Sequence, residues 1–218
     1  MAESAQARRT MVDSQVRPHD VTDLRIIAAL LDVPRERFVA PSRCALAYLD
    51  LDVPVADDSP RTMLKPMVFA KLIQAAGIRE GERVLDCGCA TGYSSAVLAQ
   101  LGGKIIALDE DPALCAKAKE NLAALGDRVV IVTGPLAAGW AAQSPYDAIV
   151  LEGASEVTPE ALLAQLKDGG RLVAVIGGGP MRKAMIYSKS GGHVTALELF
   201  DAAAPLLSGF AKAPEFVF

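Results

Sequence analysis

The sequence predicts an α/β fold: a mostly parallel sheet between helices, with an antiparallel C-terminal hairpin and a helical N-terminal extension. Three observations predict it. From Glu82 onward, short apolar runs alternate with helix-like segments, which is the pattern of right-handed βαβ units. Glycines and capping residues stand at the ends of those segments. Near the C-terminus, two strand-like runs flank Ser190-Gly191-Gly192, a turn signal. The 218 residues, 51% hydrophobic and 22% charged, suit a globular chain rather than a disordered one.

The elements follow in order. Residues 1–60 read as a helical and looped extension to the sheet domain of 61–218, the two forming one structural unit. Asp20–Asp32 places Leu24, Ile27, Leu30 and Leu31 at helical spacing. Pro34, Pro41, Pro54 and Pro60 punctuate the rest, with no clear strand. A helix is predicted from Pro66 to Ala76, because Gly77 supplies a stop. Arg83–Cys87 reads as a buried strand, followed by a glycine turn and a helix over Tyr93–Leu101. Lys104–Asp109 is the second strand. Asp111 caps a helix with Pro112 in its first turn, running to Leu125 before Gly126. Val129–Thr133, Tyr146–Leu151 and Arg171–Ile176 are further strands. A helix opens at Thr158-Pro159 and ends at Gly169-Gly170. Lys183–Lys189 and Val194–Phe200 make the terminal hairpin.

Charge and cysteine usage narrow the function. Lys plus Arg is 22 and Asp plus Glu is 26, a net charge of −4. That balance lacks the general attraction that nucleic acid or an anionic membrane exploits, so neither is expected as a partner. No uncharged apolar run reaches about 18 residues, and the first ten residues carry no apolar signal core. Cys44, Cys87, Cys89 and Cys115 form no C-x-x-C pair and have only His19 and His193 beside them, so no metal site is expected. The expectation is a cytoplasmic protein with reduced thiols.

The informative segment is Val84-Leu-Asp-Cys-Gly-Cys-Ala-Thr-Gly-Tyr93. A turn of small residues after the first parallel strand lets backbone amides approach a ligand closely, Cys89 through its N–H. Asp109 ends the next strand 21 residues after Gly88, where an acid can accept from ribose hydroxyls, with Glu110 beside it. Two cofactors compete for this turn. The dinucleotide fingerprint G-x-G-x-x-G fails, because its second and third glycines fall on Ala90 and Tyr93. The methyltransferase shape, an acid followed by G-x-G-x-G, is met by Asp86, Gly88, Ala90 and Gly92 with one small-for-small change. Asp86 suits the amino group of a methionine moiety and would be an odd neighbour for a pyrophosphate. S-adenosylmethionine is therefore favoured over a dinucleotide, with a turn whose glycines serve only packing as the third reading.

These residues resemble the protein-L-isoaspartate O-methyltransferase family over most of the chain. Val33-Pro-Arg-Glu-Arg-Phe-Val39, Ala47-Tyr48-Leu49-Asp50, Val84–Tyr93, Pro145-Tyr-Asp-Ala-Ile149 and Gln165–Val173 carry the resemblance. It implies a seven-stranded Rossmann-like class I methyltransferase fold. It also implies S-adenosylmethionine as cofactor, S-adenosylhomocysteine as product, and a damaged protein or peptide carboxylate as acceptor. The same resemblance places the cofactor on Asp86, Gly88, Cys89, Ala90, Gly92, Tyr93, Asp109, Glu110, Gly134, Pro135 and Leu136. It places the substrate on Tyr48, Asp50, Thr62, Leu64 and Lys65, in a monomer or weak homo-oligomer.

The chain departs from the family pattern at three ligand-facing positions. The family's T-[IV]-S-x-P reads Thr62-Met-Leu-Lys-Pro66, with Leu64 at the serine position. Its G-D-G after the third strand reads Gly134-Pro135-Leu136, and Ala90 replaces a turn glycine. No confident catalytic side chain follows, and Thr62 is the candidate substitute for the serine. Two further readings stay open: a weak or silent cofactor-binding homologue, and a methyltransferase for another acceptor. Trp140 reads as packing rather than as an adenine stack. Glu152 ends the fourth strand, where open sheets bind ligands.

Overall fold

The computed structural model describes residues 2–179 and 182–213; residue 1 of the expected extension and residues 180–181 and 214–218 of the expected sheet domain lie outside the described residues. Helix α1 (Ala2–Met11) runs into a wider turn over Val12–Val16. Helix α2 (Leu24–Asp32) is capped by Asp23, whose carboxylate accepts from Arg25 N at 2.8 Å. The helix thus begins after Asp20, and its buried face is Ile26, Ile27, Ala29 and Leu30. Leu24, expected on that face, is 74% exposed, and Ile26, outside the expected set, is buried instead. Strands β1 (Val53–Pro54) and β2 (Thr62–Met63) pair antiparallel where no strand was expected. Two-residue strands carry no periodic signature.

Helix α3 (Pro66–Ala76) ends as predicted on Gly77, at φ 56°. Strand β3 (Arg83–Cys87), helix α4 (Tyr93–Gln100) and strand β4 (Lys104–Asp109) follow. Asp111 caps α5 (Pro112–Leu122) by accepting from Ala113 N and Leu114 N. The last turn expected of that helix is instead a tight turn over Ala123–Arg128, unwound at Gly126. Then come β5 (Val129–Thr133), β6 (Tyr146–Ser155), α6 (Glu160–Ala164), β7 (Leu166–Ile176), β8 (Arg182–Ser190) and β9 (His193–Ala202). Helix α6 stops well before Gly169-Gly170. Leu166 already pairs with Tyr146 across the sheet, and a Cβ on Gly170 would lie 2.9 Å from the Tyr146 carbonyl.

The seven-stranded sheet has the order β5-β4-β3-β6-β7-β8-β9. Strands β3 to β7 run parallel, while β8 is antiparallel to β7 and β9 to β8. The chain steps outward from β3 to β5 and then returns to the other side of β3 as β6. That reversal makes a switch point at the carboxyl ends of β3 and β6, where such sheets bind ligands. One face of the sheet packs Val84, Ile105 and Val150 with Met11, Val16, Ile27 and Phe38 of the N-terminal segment. The other packs Leu85, Ile149 and Leu172 with Leu162, Leu207 and Phe210. Among the described residues no helix is long and apolar enough to cross a membrane, and no cluster of His, Cys, Asp and Glu could hold a metal ion.

Candidate active site

Strand β3 ends in the glycine turn at the switch point. Gly88, Ala90 and Gly92 all have positive φ, at 93°, 49° and 97°. Ala90 is therefore held in a left-handed conformation that costs a residue with a Cβ on the order of 1 kcal/mol. Its reward is a hydrogen bond: Ala90 N donates to Asp109 Oδ2 at 2.8 Å. The turn folds back on β4, so Gly88 N and Cys89 N both donate to Leu108 O, at 2.8 and 3.1 Å. This corrects the expectation that the Cys89 amide faces a ligand. The amides of 88–90 hold the turn in place, and what the turn presents is the bare α-carbon of Gly88.

Three buried carboxylates lie at this end of the sheet. Asp86 is fully buried and accepts from Ser94 Oγ at 2.7 Å and Ser95 Oγ at 2.5 Å, both on α4. Its Oδ1 has no partner. Burial pushes its carboxyl up to about 6, against the two serine hydrogen bonds that pull it down. Glu152, on β6, is also buried with Oε1 unpartnered. Its carboxyl is raised well above the usual range, first by burial and then by the nearby Asp86 charge. Asp109, at the end of β4, has no exposed surface and accepts from Ala90 N, Asp111 N and the Arg61 guanidinium.

Two arginines complete the site. Arg35 is 1% exposed and donates through Nε to Ala47 O at 2.7 Å and through Nη2 to Leu64 O at 2.6 Å. Its guanidinium lies 4.8 Å over the Tyr93 ring, which also packs on Phe38 and Phe69. Arg61 donates through Nη2 to Gly88 O at 2.7 Å and pairs with Asp109 Oδ2 at 3.0 Å. Arg35 falls within the Val33–Val39 motif, which by itself gives it no site role, and Arg61 falls in none. Arg61 meets its partner 48 positions away and Arg35 meets Leu64 29 positions away, so their roles depend on long-range contacts.

The structure brings some of the expected site residues together. Thr62, Leu64, Gly88, Cys89, Ala90, Tyr93 and Glu152 line a narrow crevice of about 10 Å³, room for one water at most. Beside it, Arg61, Thr62, Glu110 and Glu152 face a groove of about 330 Å³ whose far wall is the segment after β9. Gly92 packs instead against Leu122 of α5. Tyr48 lies apart, bonded to Glu36 and lining a groove along α1. Asp50 is exposed, and Lys65 lines a third groove with Arg182 and Asp201. Gly134 N donates to Asp109 O at 3.0 Å, Pro135 is exposed, and Leu136 is buried in the second core. Trp140 packs on Gly134, as its packing role requires.

Comparison with known proteins places this architecture. The family model for protein-L-isoaspartate(D-aspartate) O-methyltransferase matches residues 6–202. A protein-L-isoaspartate O-methyltransferase of Methylorubrum extorquens (strain PA1) is 39% identical over 173 residues, covering 79% of this chain and 75% of that protein. One from Methanoregula boonei is 35% identical over 185 residues, 84% of each chain. A solved protein-L-isoaspartate O-methyltransferase superposes with a TM-score of 0.81 at 27% identity over 93% of this chain, which spans 66% of that longer one. A putative Plasmodium falciparum enzyme, in complex with S-adenosyl-L-homocysteine, shares the fold with a TM-score of 0.77 at 18% identity.

Proposed function

Because the chain belongs to the protein-L-isoaspartate(D-aspartate) O-methyltransferase family and is an S-adenosylmethionine-dependent methyltransferase, we propose that it methylates an isoaspartyl carboxylate in a protein or peptide. One observation carries the reading. Two buried carboxylate oxygens, Asp86 Oδ1 and Glu152 Oε1, stand without partners beside the glycine turn. Such groups are costly to bury and are relieved by a cationic donor such as an ammonium. Asp109, with Glu110 next to it, is the ribose acceptor in this reading. Gly134 and Pro135 flank the adenine. The protein is read as cytoplasmic, a reading its four unbridged thiols support, and as a monomer or weak oligomer.

The bound cofactor supplies an electrophilic methyl group on a sulfonium. The acceptor carboxylate is itself the nucleophile, so the chain needs no general base. Its residues must align the acceptor and keep water out. Leu64 forms an apolar wall of the crevice, and Arg35 locks that wall by binding the Leu64 carbonyl. Thr62 is the hydroxyl on the same segment that borders both crevice and groove. It is the candidate substitute for the serine that the family carries at Leu64. Calorimetric titration with S-adenosylhomocysteine, followed by methyl transfer to an isoaspartyl peptide and its normal aspartyl twin, tests the proposal. Binding with transfer to the isoaspartyl form alone supports it; transfer to neither, despite binding, points to another acceptor.

A pH dependence follows from Asp86. Its free carboxyl titrates at about 6, and an ammonium seated on it requires the ionised form. Binding below that pH therefore releases a proton. Affinity for S-adenosylhomocysteine should fall as pH drops through 6, by up to roughly tenfold per unit. Affinity unchanged between pH 7 and 5 would take Asp86 out of the site.

A further inference from the structure

Arg61 sits where a ligand of the glycine turn has to go. A Cβ built on Gly88 would lie 2.6 Å from Arg61 Nη2, so the guanidinium rests on the bare α-carbon that the turn presents. Its ion pair with Asp109 is nearly buried, with 10% of the arginine side chain exposed and none of the aspartate. Asp109 thereby spends three of its roughly four lone-pair sites on Ala90 N, Asp111 N and Arg61. Ala90 N and Arg61 together fill Oδ2, so a ribose finds only the remaining site on Oδ1, on a carboxylate with no exposed surface beside the seated guanidinium. A fixed cation at this place also opposes a cationic sulfonium.

The seat is not a perfect one. Arg61 Nε is buried without a partner, a donor left unsatisfied by the closed position. The groove of about 330 Å³ next to it is lined by Glu110 and Glu152, two acids that offer the guanidinium another place. We infer that Arg61 is a latch on the cofactor site, seated on Asp109 and Gly88 when the site is empty and displaced into the acidic groove when the cofactor binds. This rests on the methyltransferase reading of the same site. It makes cofactor affinity a property of two states: if only a tenth of the molecules are open, apparent affinity is about tenfold below the intrinsic one.

The test is calorimetric titration of S-adenosylhomocysteine into the full-length wild type, Arg61→Ala and Arg61→Gln, with thermal melts of each protein alone. The glutamine variant keeps a polar side chain on the segment should the alanine variant fold poorly. Both variants should melt lower than the wild type, having lost the ion pair, yet bind roughly tenfold tighter or more. Binding by the variants with none by the wild type would be the same result in stronger form. Equal affinity in all three proteins overturns the latch and leaves the methyltransferase reading standing. Weaker binding by the variants also overturns it, because Arg61 would then be a cofactor ligand. Failure of all three to bind overturns the cofactor reading, and the latch with it.

Discussion

Asp109→Ala should lower the unfolding free energy by about 3 kcal/mol or more, read from the urea midpoint at constant slope. The carboxylate is fully buried and serves three donors. Its loss strands the Ala90 amide in a turn already held left-handed, at about 1–3 kcal/mol for an unsatisfied buried donor. It also leaves the Arg61 guanidinium without its anion, and removing one partner of a buried pair costs up to about 3–5 kcal/mol. Asp109→Asn keeps an acceptor for Ala90 and should cost less. The double variant with Arg61→Ala should cost less than the sum of its parts, by roughly 0.5–3 kcal/mol, since the two side chains share one interaction. A loss below about 1 kcal/mol for Asp109→Ala would show that the bonds of Gly88 N and Cys89 N to Leu108 O hold the turn without the Asp109 carboxylate. In the same variant, affinity for S-adenosylhomocysteine reports two opposed changes, a lost ribose acceptor and a freed Arg61. The lost acceptor alone is therefore read by comparing the double variant with Arg61→Ala, since Arg61 is absent from both.

Leu64→Ser should raise methyl transfer to an isoaspartyl peptide by tenfold or more. A leucine cannot hydrogen-bond the acceptor carboxylate, and a hydrogen bond to a charged group contributes roughly 1.5–3 kcal/mol, or about 10- to 150-fold in rate. The structure adds a cost that the motif alone does not reveal. Leu64 is 2% exposed and belongs to the main core cluster, so truncating it should destabilise the fold by about 2–5 kcal/mol. The gain must be read well below the lowered melting temperature. Strong wild-type transfer with no gain in Leu64→Ser would mean that another side chain orients the acceptor, and Thr62→Ala would then be expected to abolish it.

Local chemistry in the sequence determined much of this protein. Gly77 at positive φ, Asp111 with Pro112, and Ser190-Gly191-Gly192 each act within a few residues, so the starts or ends they mark are where the pattern puts them. The strands β3, β4 and β5 likewise match their apolar runs: β3 and β4 are buried inside the sheet and must be apolar on both faces, while β5 is its edge strand, with Val130 exposed. The glycine turn and Asp109 were legible for the same reason: a tight turn and a strand end are short-range features. The departures at Leu64 and Ala90 were equally legible, as residue types out of place in a motif.

Tertiary structure alone decided the rest. The end of α6 is set by the pairing of Leu166 with Tyr146, a partner 20 positions upstream, which overrides the two glycines that read as a helix stop. The exposed Leu24 is apolar and correctly spaced; only the packing of α2 shows that Ile26 and Ile27 of the same turn are buried while Leu24 is not. Within the site, the amides of Gly88 and Cys89 face Leu108 O because the turn folds onto β4, an orientation no glycine pattern encodes. The charge balance of the crevice came from the fold as well. It brings Arg35, Arg61, Asp86, Asp109 and Glu152 from five separate segments to one end of the sheet. Periodicity and turn chemistry act over a handful of residues, whereas burial and charge pairing depend on which distant segments meet.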